Sequence, residues 1–145
     1  MPLATLRNQD LELKISPEAG ASVVGLAART GAAWIPILRP TPAGALESLN
    51  SSEMASFTLA PFSNRIQDAR FPFAGRTHQL RANTPEGHAI HGDVRKRPWH
   101  LESASAVRLQ LSFDSREFAD FNYPFPLATS LIYELTGPVF TTRIE

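Results

Sequence analysis

Hydrophobic and polar residues alternate along most of this chain. In "LELKI", Leu11, Leu13 and Ile15 share one face while Glu12 and Lys14 take the other, the period of a half-buried strand. "VRLQLSF" repeats the pattern, with Val107, Leu109, Leu111 and Phe113 set against Arg108, Gln110 and Ser112. "SVVGLAAR" and "AAWIPIL" read as two strands joined at a Thr30–Gly31 turn, and Pro36 places the second at a sheet edge. "RFPF" and "RTHQL" read as a hairpin with Ala74–Gly75 at its tip. "ATSLIYELTG" is a late strand, and "PVFTTRIE" begins another. Only Ala43 to Leu49 carries helix formers. Twelve prolines are spread through the sequence, each removing a backbone donor, so few windows suit a long helix. The pattern predicts an all-β antiparallel sandwich.

Composition narrows this picture without changing it. A chain of 145 residues suits one domain, 1–145, and a domain of that size buries roughly 68–70% of its unfolded surface. Lys+Arg and Asp+Glu balance at 14 each, so no global field steers nucleic acid or an anionic membrane. The absence of cysteine excludes a disulfide framework, a thiolate nucleophile and Cys-ligated metal. Charges at Arg7, Asp10, Glu12 and Lys14 deny the N-terminal stretch the apolar core of a signal peptide, and no apolar run reaches membrane-spanning length. The expected setting is the cytoplasm.

Candidate chemistry gathers around the hairpin. "SNRI" places Asn64 and Arg65 before it, and "HAIHG" places His88 and His91 after it, in a chain with only four histidines. Arginine offers a rigid, permanently charged fork of donors, and histidine holds or gives a proton near neutral pH. Together they describe a polar pocket at a sheet end. Taken singly, Arg65 reads as a sheet-end arginine paired with Asp68 or Asp93, and His91 as a turn histidine bonded to backbone. His88 and His91 have no third ligand in view, so no metal site is assigned. Arg95 to Arg97 reads as a solvated loop, a sugar phosphate being the alternative. Trp34 and Trp99 are assigned to core packing, and Phe118, Phe121, Tyr123 and Phe125 to a packed aromatic corner.

"PFSNRI", "FPFAGRTHQL", "HAIHG" and "RPW", in this order, resemble the aldose 1-epimerase (galactose mutarotase-like) family. "ISPEAGASVVGL" and "NYPFPLATSLIYELTG" extend the resemblance from Leu11 to Gly137. It implies a mutarotase-like β-sandwich, of which this chain is the N-terminal portion. It also implies an isomerase that interconverts the α and β anomers of an aldose without metal or organic cofactor. Asn64, Arg65 and His91 match residues that contact the sugar, with His91 on the acid side of catalysis. The family's general base lies in the later half of a longer chain. Glu86, Asp93 and Asp68 do not match it, and a non-catalytic sugar-binding sandwich is the alternative. The last strands, Thr129 to Leu135 and Val139 to Ile144, are expected to pair with a second copy.

Overall fold

The computed structural model describes residues 3–145. Its strands run in the order β1 (Ala4–Arg7), β2 (Leu11–Ser16), β3 (Ser22–Thr30) and β4 (Ala33–Pro36), then a short helix α1 (Ala43–Glu47). A middle group follows: β5 (Arg65–Ile66), β6 (Arg70–Phe73), β7 (Arg76–Gln79) and β8 (Ala89–Ile90). The chain closes with β9 (His100–Ala104), β10 (Arg108–Asp114), β11 (Ala128–Thr136) and β12 (Val139–Ile144). Two four-stranded antiparallel sheets, ordered β1-β2-β3-β4 and β12-β11-β10-β9, form the sandwich. The pairs β5–β8 and β6–β7 stand outside it.

The alternating residues meet between the sheets. Leu6, Leu13 and Ile15 on one side and Leu109, Leu111 and Leu131 on the other are almost wholly buried. Each such side chain contributes about 1.5–3 kcal/mol relative to exposure. One polar tie crosses the core. The Tyr133 hydroxyl on β11 donates to the Ala21 carbonyl at 2.7 Å, and burial pushes its pKa up to about 12, so it keeps its proton.

The periodic segments fold as strands within a residue or two of their predicted limits. The β3–β4 hairpin turns at Gly31–Ala32 and not at the expected Thr30–Gly31, because Thr30 already pairs with Ala33. Glycine supplies the positive φ of 61° needed there. Two strands carry no legible period. In β1 only Leu6 is buried, and every residue of β9 is exposed, so neither has an apolar face to display. Trp99 lies in the core as expected, its indole N–H donating to the Val94 carbonyl. Trp34 does not. It sits half-buried on edge strand β4, with the Arg7 guanidinium 4.5 Å from its ring centroid. Of the last two strands only β12 is an edge, since β11 is flanked by β10 and β12 and has no side left for a partner.

The aromatic corner packs as predicted. Phe118 and Phe121 contact Phe113 of the core, while Tyr123 and Phe125 lie against Phe71 and Phe73 of the β6–β7 hairpin. Among the described residues no helix is long and apolar enough to cross a membrane.

Candidate functional site

The β5–β8 pair brings the sequence-predicted residues together. Arg65 lies opposite Ile90 and Ile66 opposite Ala89, which sets His91 beside Asn64. The His91 backbone N–H reaches the Asn64 carbonyl at 3.3 Å. Its ring Nδ1 lies 2.9 Å from the Ser63 carbonyl oxygen, an acceptor only. Nδ1 must therefore be the protonated nitrogen, leaving Nε2 free to accept a proton or, in the imidazolium, to give one.

The backbone at this point is held in an uncommon conformation. His91 has φ 68° and Gly92 has φ 63°, both left-handed. At Gly92 no side chain fits, since a Cβ there would lie 1.8 Å from the Ala60 carbonyl oxygen. Gly92 and Ala60 form a parallel bridge that joins the site to the segment carrying Phe57. The Phe57 and His91 rings meet edge-on, with centroids 6.2 Å apart. The Arg95 guanidinium also lies over Phe57, 5.4 Å from the ring centroid. Arg95 is buried, donates to Ser52 Oγ at 2.5 Å, and leaves its Nε without a partner. Burial pulls this guanidinium below the usual arginine range.

Asn83 supplies a missing strand. Its amide donates to the Ile90 carbonyl at 3.0 Å and accepts from the Ile90 N–H at 2.7 Å, copying a backbone pair on the far side of β8. Ser63, Phe57, Asn83 and Arg95 thus shape the site; sequence reading misses the first three and takes Arg95 for part of a solvated loop. Their roles depend on contacts with distant segments, which no local motif records.

The bland readings are displaced in part. Arg65 is exposed and, among the described residues, in no ion pair: Asp68 lies 3.7 Å from Arg70, and Asp93 pairs with Arg97 at 2.6 Å. Asn64 Oδ1 accepts the Arg65 N–H at 2.8 Å. His88 is a latch, its Nδ1 accepting the Asp68 N–H at 3.1 Å.

The Arg95–Arg97 run is not a solvated loop. Arg95 is buried, and Arg97 is held by Asp93 and Asp120; only Lys96 is exposed. Neither arginine is available to a phosphate.

Nor do Asn64, Arg65 and His91 form a closed pocket. Asn64 and Arg65 are exposed and His91 is half-buried, and none of them lines either of two neighbouring cavities. One, of about 410 Å³, begins at Gln67 and Asp68 and follows the hairpin to Thr77. The other, of about 540 Å³, reaches from Phe57 to Tyr133, Phe140 and Ile144.

Of the nearby carboxylates, Asp93 is buried and receives two bonds from Arg97 and one from the Asn122 N–H. Glu86 is held below the usual carboxylate range by its own backbone N–H and the Thr84 hydroxyl, with attraction from Arg65 and His88. It is an exposed anion beside Arg65. Among the described residues no carboxylate is hydrogen-bonded to the His91 ring.

A sequence model of the aldose 1-epimerase family matches residues 2–144. The chain is 31% identical over 146 residues to the uncharacterized protein YphB of Escherichia coli (strain K12), covering all of this chain and 46% of that one. The crystal structure of a putative aldose 1-epimerase from E. coli K12 is similar with a TM-score of 0.79 and 26% identity, over 99% of this chain and 45% of that one. A GalM/aldose epimerase homologue from C. elegans has a TM-score of 0.77 at 16% identity, over 92% and 42% of the two chains. A galactose mutarotase-like protein from Clostridium acetobutylicum gives 0.77 at 19%, over 97% and 44%. The last two bear on the fold alone. The chain spans less than half the length of each of these relatives.

Proposed function

The chain belongs to the aldose 1-epimerase family, and from that premise we propose that Asn64, Arg65 and His91 hold a monosaccharide while its α and β anomers interconvert. The observation that supports this reading is the adjacency of the three along the β5–β8 pair, with Asn64 opposite His91 and Arg65 at the next position. There the Arg65 guanidinium has no ion-pair partner among the described residues, and His91 Nε2 is not the nitrogen tied to Ser63. The fork of Arg65 suits two adjacent sugar hydroxyls. A free hexose such as glucose or galactose fits better than a hexose phosphate, because Arg95 and Arg97 are already engaged.

In ring opening a base takes the proton of the anomeric hydroxyl, and that oxygen's electron pair becomes the C1 carbonyl. The bond from C1 to the ring oxygen breaks, and the ring oxygen takes a proton from the His91 imidazolium at Nε2. Rotation about C1–C2 and the reverse transfers close the other anomer. His91, fixed through Nδ1 to Ser63, serves as the acid in opening and recovers its proton in closure. The base is none of Asp68, Glu86 and Asp93, which do not match the family's general base; by the resemblance that group belongs to the later half of a longer chain.

One observation favours a second reading, a carbohydrate-binding sandwich without turnover: Asp93, the buried carboxylate nearest His91 in sequence, is held through Oδ2 by Arg97 and the Asn122 N–H and makes no hydrogen bond to His91. Polarimetry of freshly dissolved α-D-glucose and α-D-galactose separates the two. Acceleration over the spontaneous drift that falls at least tenfold in His91→Ala and in Arg65→Ala is expected for the isomerase. Binding without acceleration gives the second reading. Acceleration unchanged in both variants would remove the assignment of these residues.

A further inference from the structure

The proposed grip uses His91 and leaves His88 aside, yet the two rings make opposite demands on their protons. His91 Nδ1 faces the Ser63 carbonyl, so it bears a proton in the neutral ring and in the imidazolium alike. His88 Nδ1 lies 3.1 Å from the Asp68 backbone nitrogen, which can only donate. His88 Nδ1 is therefore bare, and its ring is neutral with the proton on Nε2. A second proton would set two N–H groups against each other and break the bond.

The bond secures a turn in an uncommon conformation. Directly after Arg65 and Ile66 the chain leaves the β5–β8 ladder through Gln67–Ala69, where Asp68 and Ala69 both have φ 51°. Neither is glycine, and the left-handed region is costly for an alanine in particular. Among the described residues two side chains bond the backbone of this turn. Gln79 Nε2 reaches the Asp68 and Ala69 carbonyls at 3.2 and 3.1 Å, and His88 takes the Asp68 N–H. Of the two, only a histidine titrates near neutral pH. The backbone of His88 is itself anchored: its N–H donates to Thr84 Oγ1 at 3.0 Å, and its carbonyl accepts from the Asn83 and Thr84 N–H groups. Loss of the ring's bond is thus felt in the turn and not in β8. Arg65 stands three residues before Asp68, on a strand only two residues long.

We propose that His88 positions Arg65: the neutral ring closes the Asp68 turn and the protonated ring releases it, so that the grip on the sugar weakens in acid. Among the described residues the charged groups around the ring are Asp68, itself 3.7 Å from Arg70, and Glu86 of the preceding loop, which attracts both His88 and Arg65. Either carboxylate offers the imidazolium an acceptor, which favours the released arrangement once the second proton is on. The weakened grip rests on the sugar-binding reading. The coupling of His88 to Asp68 and Arg65 does not, and it is observable without sugar.

NMR of the ¹⁵N-labelled chain between about pH 5 and 8 tests both parts. At the upper end the His88 ring nitrogens are expected to show the Nε2–H tautomer. As His88 takes up its second proton, protection of the Asp68 amide relative to the unstructured exchange rate is expected to fall about tenfold, and the Arg65 signals to move with the same midpoint. His88→Asn places an Oδ1 acceptor near the position of Nδ1 and does not titrate, so Asp68 protection and the Arg65 signals are expected to hold constant across the range. His88→Ala is expected to lack the protection at every pH. With D-galactose, the dissociation constant of the unaltered chain is expected to rise about threefold over the same titration, and to stay flat in His88→Asn. An Nδ1–H tautomer at the upper end, Asp68 protection that ignores the His88 titration, or a His88→Asn chain that still follows pH overturns the coupling. A dissociation constant that stays flat while the turn titrates overturns its link to the grip. A turn that titrates as expected in a chain that binds no sugar at any pH supports the coupling and removes the sugar-binding reading instead.

Discussion

Gly92 has no room for a side chain, and that explains why His91 is followed by glycine. Its φ of 63° costs any L-residue about 1–2 kcal/mol, and a Cβ would overlap the Ala60 carbonyl oxygen at 1.8 Å. Backbone meets backbone there, so the clash is not relieved by a rotamer change. Gly92→Ala is expected to lower stability by more than about 2 kcal/mol in urea unfolding, and to loosen His91 with it. A loss below about 0.5 kcal/mol would mean that the Ala60 bridge does not hold the site. The His-Gly pair was legible in the sequence as a signal, as were Asn64 and Arg65. Its cause was not, because Ala60 is thirty-two residues earlier. For the same reason Phe57 gave no sign, and Arg95 none of its burial: an aromatic in contact with an imidazole and a guanidinium looks in sequence like any core phenylalanine.

Elements were legible in proportion to how cleanly they separate an inner from an outer face. Strands β2 and β10 alternate buried and less buried positions over most of their length, β11 is a buried apolar run, and each was read within two residues of its ends. Strands β1 and β9 bury one residue and none, so alternation had nothing to record. Strands β5 and β8 are two residues each and depend on the Asn83 clamp, a side chain acting as backbone. The aromatic corner was legible from its run of rings, but the charge network that pins it was not. Arg97 bonds Asp93 at 2.6 Å and Asp120 at 2.9 Å, and its guanidinium lies 5.2 Å from the Phe118 ring centroid. Burial works against this charge, yet the two carboxylates outweigh it and hold the Arg97 pKa above its usual value. Arg97→Met strands a buried Asp93 carboxylate and is expected to cost about 2–4 kcal/mol in thermal or urea unfolding. Arg97→Met together with Asp93→Asn should recover much of that loss. Equal costs for the single and double variants would show that packing, and not charge, secures the corner.

At the scale of the molecule, the sandwich acts as a rigid base from which the β5–β8 pair and the β6–β7 hairpin project. Asn64, Arg65 and His91 are displayed on that outer layer, Asn64 and Arg65 exposed and His91 half-buried. The all-β class and the family were readable from the chain, and the sheet order was not. The openness of the site was not, because whether two cavities merge or stay apart depends on how two sheets meet. The proposed grip on a sugar rests on these three residues. It is tested most directly by titrating the ¹⁵N-labelled chain with D-galactose and with D-glucose, following backbone amides and the arginine and histidine side chains by NMR. Saturable shifts centred on Asn64, Arg65 and His91, absent in a folded His91→Ala variant, are expected. A folded chain that shows no saturable shift with either sugar, or shifts centred elsewhere, would contradict the account.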